Sequence, residues 1–226
     1  LSRRPRFALT GVSVGERGEA IHRVPQIQSA SVGPDLLPEV RLSAEQATDL
    51  ASRLLEATGV PRPDAGTVAS CLVRADLRGV DTHGLVRLPG YLDRIARGLL
   101  NPAPASAFEP ITPVAAALDA GDGFGFVAAT RAMARAVEMA DTYGIGLVGV
   151  RNSTHFGMAA SYLLQALDRA FAALVFTNAS RALPPLGGRA ELFGTSPFAA
   201  AFPGEPPFVL DMAPTVVARG KIRKAA

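Results

Sequence analysis

The sequence predicts a protein of the α/β or α+β class, in which helices and strands alternate along most of the chain. Residues 43–98 carry apolar side chains at helical spacing, whereas short apolar runs alternate with helical segments from residue 114 onward. The chain has 226 residues, of which 48% are hydrophobic and 19% are charged. That balance is typical of a globular protein with one sizeable domain or two small ones.

The first 40 residues differ from the rest because they show no helical or strand period and are rich in Gly, Pro, Ser and Arg. Residues 2–7 resemble a twin-arginine export signal, but the apolar stretch that follows is shorter than the ~7–15 residues such a signal needs. We therefore expect residues 1–40 to be a disordered leader or the product of a misplaced start site.

A capping box opens the helical part, because Ser43 and Gln46 are spaced to satisfy each other's free backbone N–H groups. The first helix is expected to end at Gly59, and Asp64 is expected to cap a second helix. A third helix follows a break at residues 79–84. Apolar residues recur at intervals of three and four in all three helices: Leu50, Leu54 and Leu55; Val68, Cys71, Leu72 and Ala75; Leu85, Leu88, Leu92 and Ile95.

The second part of the chain alternates strands and helices. Residues 101–113 contain four prolines and are expected to form a linker or crossing segment. No GxGxxG motif follows a predicted strand, so a Rossmann site is not supported. The predicted strands are 114–118, 145–150 (buried), 172–176, 198–202 and 208–211, with a turn at 121–123 and helices at 126–143, 159–167 and 215–224.

Composition excludes several classes of function. The net charge is +3, but the arginines are scattered, aromatics are 6% and Trp is absent, so no nucleic-acid partner is expected. No apolar run approaches the ~20 residues of a membrane span, so no membrane partner is expected. The three histidines and Cys71 lack metal-ligand spacing, so no metal is expected. One cysteine is compatible with a reducing, cytoplasmic location.

His83 lies in the break between two predicted helices, and Arg87 follows four residues later. If a helix starts near Gly84, the two side chains lie one turn apart, with about 5–6 Å between their Cβ atoms. An Arg fork there can bind the carboxylate of a 2-oxo or 2-hydroxy acid, while the His exchanges a proton with the C2 oxygen and Thr82 hydrogen-bonds the imidazole. On spacing alone the alternative stays open, a His that caps a helix and an Arg paired with Asp81.

His155 lies in the polar segment 151–157, directly after a predicted strand and before a predicted helix. Free backbone N–H groups at such a helix N-terminus attract phosphate, although an ordinary polar loop would look the same. Similar polar clusters lie at the ends of other predicted strands: residues 177–180 follow one strand, residues 194–197 precede another, and residues 211–213 begin at the end of a third. Together they indicate a cofactor site built at the ends of successive strands.

Four segments, residues 74–89, 150–157, 194–197 and 211–213, closely resemble the malate/L-lactate dehydrogenase-like oxidoreductases, a family that includes ureidoglycolate dehydrogenase, diketogulonate reductase and piperideine-carboxylate reductase. The resemblance covers about residues 42–224. It implies a non-Rossmann NAD(P)-binding fold with a mixed, largely antiparallel sheet flanked by helices, and a homodimer. It also implies hydride transfer between NAD or NADP and a small-molecule 2-oxo/2-hydroxy acid or related cyclic imine.

The resemblance also implies roles for residues. His83 would be the proton donor or acceptor, Thr82 its relay partner and Arg87 the carboxylate clamp, while Gly220 would approach the substrate. In some family members the residue at His155 has the acid–base role. The implied cofactor-binding residues are His155, Phe156, Gly157, Met158, Ala159, Ser180, Asp211, Met212 and Ala213.

This sequence departs from the family pattern in three ways. Thr82 replaces the usual Ser but keeps the hydroxyl, Pro214 replaces the usual Thr, and family chains are longer. We therefore predict a helical substrate or dimerisation unit at 41–110 and a C-terminally truncated, partial cofactor-binding domain at 111–226. The alternative is a catalytically inactive fragment or the partner-binding half of a split enzyme. An incomplete sheet would expose edges and apolar surface.

Overall fold

The computed structural model describes residues 41–213 and Thr215. The predicted leader, Pro214, Gly220 and all of the predicted helix at 215–224 except its first residue therefore lie outside the described residues. The helices are α1 (Ala44–Glu56), α2 (Arg62–Leu77), α3 (Leu88–Ala96), α4 (Gly125–Tyr143) and α5 (Ala160–Leu167). The strands are β1 (Ala107–Thr112), β2 (Ala115–Gly123), β3 (Leu147–Ser153), β4 (Ala173–Phe176), β5 (Phe198–Phe202) and β6 (Phe208–Met212).

The strands form two three-stranded sheets, ordered β1-β2-β3 and β4-β5-β6. The β2–β3 pair is parallel, whereas β1–β2, β4–β5 and β5–β6 are antiparallel. The prediction of a mixed, largely antiparallel strand arrangement with helices beside it is therefore confirmed. Antiparallel neighbours can be joined by a short connection, as between β1 and β2 and between β5 and β6. The parallel strands β2 and β3 need a longer crossover, which α4 provides.

Strand β1 lies in the segment that we expected to be a linker, so that expectation is wrong. Pro110 cannot donate a hydrogen bond to a neighbouring strand, but β1 is an edge strand, where proline is tolerated. The boundary predicted at residues 110/111 falls inside this strand. The turn predicted at residues 121–123 is wrong, because β2 extends to Gly123. Gly121 and Asp122 have positive φ, and the register between β2 and β3 shifts between Asp119 and Gly123.

Two helix starts and one strand differ from the prediction. Helix α2 begins at Arg62 after Pro61, and Asp64 lies in its first turn, where a negative charge is favourable, rather than at the cap. The third helix begins at Leu88 rather than near Gly84. Strand β3, predicted to be buried, is exposed at every residue except Val148 because it is the edge of its sheet. The capping box of α1 is confirmed.

The main core lies between α1, α2, α4 and α5 and the inner face of β5. Its largest fully buried side chains include Tyr162, Phe126, Leu55 and Leu72. Burial of a wholly apolar side chain, such as those of Phe126, Leu55 and Leu72, stabilises the folded state by about 1.5–3 kcal/mol. Phe126 and Tyr162 belong to the same cluster as Tyr91 of α3. This aromatic part of the core supports the segments that carry the histidines.

The outer face of the β4-β5-β6 sheet exposes apolar side chains: Leu174, Phe176, Phe202, Phe208 and Met212. The opposite face packs on the main core through Ala173 and Val175 of β4, Ala199 and Ala201 of β5 and Val209 of β6, because successive side chains of a strand point to opposite faces. Within the described part of the chain, no helix combines the length and the apolarity that crossing a membrane requires.

Candidate functional site

The segment between α2 and α3 holds His83 and Arg87. It forms two single-turn 3₁₀ helices, Asp81–His83 and Leu85–Arg87, separated by Gly84 in an extended conformation. The carboxylate of Asp76 on α2 accepts the backbone N–H of Leu85 at 2.9 Å. A Cβ on Gly84 would overlap this carboxylate, so only glycine allows the segment to lie so close to α2.

Thr82 links the two predicted site residues. Its hydroxyl lies 3.0 Å from Nδ1 of His83, and its backbone carbonyl accepts the Nε–H of Arg87 at 2.7 Å. The predicted contact between the Thr82 hydroxyl and the imidazole is therefore confirmed. The expected arrangement on one α-helical turn is wrong, because the two residues lie in successive 3₁₀ turns and share Thr82 as an anchor.

His155 reaches the same place from the loop between β3 and α5. Its ring stacks on that of His83, with centroids 5.5 Å apart and 28° between the planes. Its Nδ1 lies 2.7 Å from the Tyr91 hydroxyl and accepts the backbone N–H of Gly157 at 3.3 Å. Gly157 has φ +73°, and a Cβ there would overlap the ring of Phe126, so the loop requires glycine at this position.

The electrostatic surroundings keep both imidazoles neutral near pH 7. Burial lowers the pKa of His83, the charge of Arg87 lowers it further, and the carboxylate of Asp211 opposes both. Desolvation by its neighbours lowers the pKa of His155 to about 4, with smaller contributions from the positive charges of Arg87 and of His83 when it is protonated, although the residue is exposed. Burial raises the pKa of Tyr91, so its hydroxyl keeps its proton.

Asp211 connects the second sheet to the site. Its carboxylate accepts the backbone N–H of Ala160, the first residue of α5, at 2.7 Å. A carboxylate at a helix N-terminus is favoured by the helix dipole. One of the two interpretations left open by the sequence was that this N-terminus offers free N–H groups to a phosphate; the Ala160 N–H is instead used by Asp211.

Three of the polar clusters at strand ends meet at one end of the β4-β5-β6 sheet. Phe176, the last residue of β4, pairs with Phe198, which in turn pairs with Met212. Residues 177–180, 194–197 and 211–213 therefore lie beside one another, as the sequence predicted. Among the implied cofactor residues, the structure exposes Ser180, Asp211 and Met212, leaves Phe156 and Ala213 half-buried, and buries Met158 and Ala159 in the core.

Two surface depressions of the described chain lie away from the histidines. One of about 490 Å³ is between β1 and the C-terminal end of α4, and one of about 520 Å³ is between α1 and α2. Neither depression is lined by a histidine. No group of three or more His, Cys, Asp or Glu side chains among the described residues is placed to hold a metal ion.

Tyr91 and Asp76 are site residues that our sequence reasoning missed. Tyr91 lies three residues after Leu88 on the buried side of α3. A buried tyrosine usually needs a hydrogen-bond partner for its hydroxyl, and that requirement was the one signal for it in the sequence. Asp76 gave no comparable signal, because its partner Leu85 is nine residues away across a break in the helix.

The fold and site together define an α+β protein with two stacked imidazoles beside an arginine. A malate/L-lactate dehydrogenase family model matches residues 42–226, and the chain belongs to that family. A malate dehydrogenase of Pyrococcus abyssi is 40% identical over 184 residues, 81% of this chain and 51% of that protein. An L-sulfolactate dehydrogenase of Methanocaldococcus jannaschii is 37% identical over 185 residues, 81% of this chain and 54% of that protein.

A solved structure has the same fold. The malate dehydrogenase of Pyrococcus horikoshii OT3 superposes with a TM-score of 0.77 at 38% identity, covering 81% of this chain and 53% of that one. The family resemblance stated from the motifs is therefore confirmed. The chain spans about half the length of the relatives it matches.

Proposed function

We propose that this chain carries the proton-transfer and carboxylate-binding part of an NAD(P)-dependent oxidoreductase. Its reaction would move a hydride between nicotinamide and a 2-oxo/2-hydroxy acid or a related cyclic imine. The observation that supports this most is the convergence of His83, Arg87 and His155 from two separate segments, with Thr82 bonded to the first two. An anion-binding fork beside a neutral imidazole suits a small acid whose carboxylate adjoins its reactive oxygen.

In this proposal Arg87 binds the substrate carboxylate. Its hydrogen bond to the Thr82 carbonyl uses only Nε, so the two terminal amino groups are not consumed by it and form the binding edge. His83 exchanges a proton with the C2 oxygen, and the Thr82 hydroxyl orients its ring at 3.0 Å. A lowered His83 pKa keeps the imidazole neutral near pH 7, the state that accepts a proton during oxidation.

Residues at the end of the β4-β5-β6 sheet are the proposed cofactor contacts. The exposed Ser180 and Asp211 fit the polar ribose part of a dinucleotide, because a carboxylate accepts hydrogen bonds from hydroxyls and repels phosphate. The bound nicotinamide would supply or take up the hydride. A (2R)-3-sulfolactate dehydrogenase of Chromohalobacter salexigens is named for NADP(+), and a ureidoglycolate dehydrogenase of Escherichia coli is named for NAD(+). These relatives support a nicotinamide dinucleotide of either type as the cofactor.

The buried Met158 and Ala159 would contact the cofactor only through their backbone. Gly220, the proposed substrate neighbour, lies outside the described residues. The homodimer, the cytoplasmic location and the two units at 41–110 and 111–226 remain predictions of the same proposal.

Two measurements test the proposed function. Titration with NADH and with NADPH, followed by cofactor fluorescence, should show binding below about 1 mM, the upper end of usual KM values. A reductase screen of several 2-oxo acids should then show turnover that His83→Ala reduces by about 10²–10⁴-fold while cofactor binding stays intact. An unchanged kcat in that variant contradicts the role of His83. Absence of cofactor binding contradicts the proposal and favours the inactive fragment.

A further inference from the structure

Tyr91 is held rigidly beneath the two histidines. Its side chain is buried, and its ring meets Phe124 and Phe126 edge-on, with centroids 5.9 and 5.6 Å away. Edge-to-face packing on two aromatic rings restricts the ring to one orientation. The hydroxyl therefore has a fixed position, 2.7 Å from Nδ1 of His155.

The protonation of His155 follows from its second contact at the same atom. The backbone N–H of Gly157 points at Nδ1 from 3.3 Å, and a backbone N–H can only donate. Nδ1 must therefore carry a lone pair, which makes the Tyr91 hydroxyl a donor as well. A neutral imidazole has one N–H, so in His155 that proton is on Nε2.

We propose that Tyr91 is a positioning residue which, together with the Gly157 N–H, holds neutral His155 in its Nε2–H tautomer, so that His155 supplies a hydrogen-bond donor and His83 is the histidine that exchanges a proton with the substrate. This inference rests on the proposed function for its catalytic consequence. The tautomer itself rests on the hydrogen-bond geometry alone.

The stacking of the two rings gives the division of roles a physical reason. Two imidazolium cations with centroids 5.5 Å apart would repel each other, so the pair takes up one proton more readily than two. Both hydrogen bonds that the described residues make to the His155 ring use Nδ1, so Nε2–H lies on the opposite side of the ring. A neutral imidazole N–H placed in this way can polarise a carbonyl oxygen without transferring its proton.

The first test reads the tautomer directly. In the 226-residue chain with ¹⁵N-labelled histidine and no cofactor or substrate, long-range ¹H–¹⁵N NMR spectra near pH 7 should show His155 protonated at Nε2. In Tyr91→Phe, which keeps the packed ring, the ratio of Nε2–H to Nδ1–H tautomers should fall about fivefold, the effect of one lost hydrogen bond. Wild-type His155 protonated at Nδ1, or an unchanged ratio in the variant, overturns the inference.

Val137→Ala is the matched control for destabilisation. Val137 is as deeply buried as Tyr91 and belongs to the same core, but its side chain is apolar and it lies on α4, not in the loop that carries His155. This substitution should lower the thermal midpoint about as much as Tyr91→Phe while leaving the His155 tautomer unchanged. An equal tautomer shift in both variants means that the effect is general loosening, which contradicts a positioning role.

The second test reads the catalytic consequence. Where turnover of a 2-oxo acid is measured, Tyr91→Phe should lower kcat about tenfold and leave KM nearly unchanged. The reason is that the Nε2–H of His155 is no longer held in place, and its position matters only in the transition state. A rise in KM with kcat retained contradicts the role. Absence of turnover in the wild-type chain tells against the proposed function, whereas the NMR result still decides the tautomer.

Discussion

The carboxylate of Asp76 accepts the backbone N–H of Leu85 at 2.9 Å and ties the segment that carries His83 and Arg87 to helix α2. The contact depends on Gly84, because any side chain there would occupy the position of the carboxylate. A hydrogen bond from a backbone N–H to a charged acceptor is among the stronger kinds in proteins. The geometry of the candidate site is thus fixed from a neighbouring helix rather than within its own segment.

Gly84→Ala is expected to lower the free energy of unfolding by about 1–3 kcal/mol, because the Asp76 carboxylate must move and leave the Leu85 N–H unsatisfied. Gly90→Ala is the matched control. Gly90 lies in the first turn of α3, and a Cβ there would meet open space, so alanine should stabilise the helix by about 0.5–1 kcal/mol. Urea unfolding of both variants checks the opposite signs, and equal effects would contradict the tight approach at Gly84.

Arg87→Ala is expected to raise KM for a 2-oxo acid about 10- to 100-fold, because the substrate carboxylate loses a charged hydrogen-bonding partner. It should also raise the pKa values of His83 and His155, since the Arg87 charge lowers both. Steady-state kinetics measures the first effect and histidine NMR titration the second. Arg97→Ala removes only an exposed ion pair with Asp93 and should change neither. A normal KM in Arg87→Ala would exclude the carboxylate clamp.

Asp211→Asn is expected to move the His83 titration to lower pH. The amide oxygen can still accept the Ala160 N–H, but the negative charge that raises the His83 pKa is gone. Histidine NMR titration measures the shift without any need for turnover. Asp168→Asn, at the other end of α5, serves as the control and should leave the curve in place. A His83 titration that does not move would mean that the carboxylate is too well solvated to act on the ring.

Acid should destabilise the native chain partly through the histidine pair. The unfolded chain protonates His155 near its ordinary pKa of 6.5, whereas the folded chain does so only near pH 4. The unfolded state therefore binds more protons in this window, and the free energy of unfolding falls as the pH drops from about 6.5 to about 4. The lowered pKa of His83 acts in the same direction.

His155→Gln should reduce that pH dependence. The measurement is the urea midpoint at a series of pH values and constant ionic strength, with the wild-type chain alongside. Above about pH 7.5 both histidines are neutral in both states, so the two chains should have parallel curves there. Equal slopes below about pH 6.5 as well would show that His155 titrates normally in the folded chain.

Local sequence patterns were sufficient for much of the fold. The Ser43–Gln46 capping box, the apolar stripes of α1 and α2 and the strands after residue 114 were predicted because each depends on residues a few positions apart. Strand β1 was missed because the four prolines of residues 101–113 suggest a linker, and only the place of β1 at a sheet edge makes Pro110 acceptable. The exposure of β3 was missed because an apolar run does not reveal whether a strand has neighbours on both sides.

The sequence by itself determined the family, the chemical types at the site and the closeness of Thr82, His83 and Arg87, since these follow from residues adjacent in the chain. Tertiary structure alone decided that Tyr91 meets His155, 64 residues later, and that Asp211 meets Ala160, 51 residues earlier. Such contacts arise from how α3, α5 and β6 pack on a shared core, and packing depends on the shapes of many side chains at once. No short-range pattern encodes it.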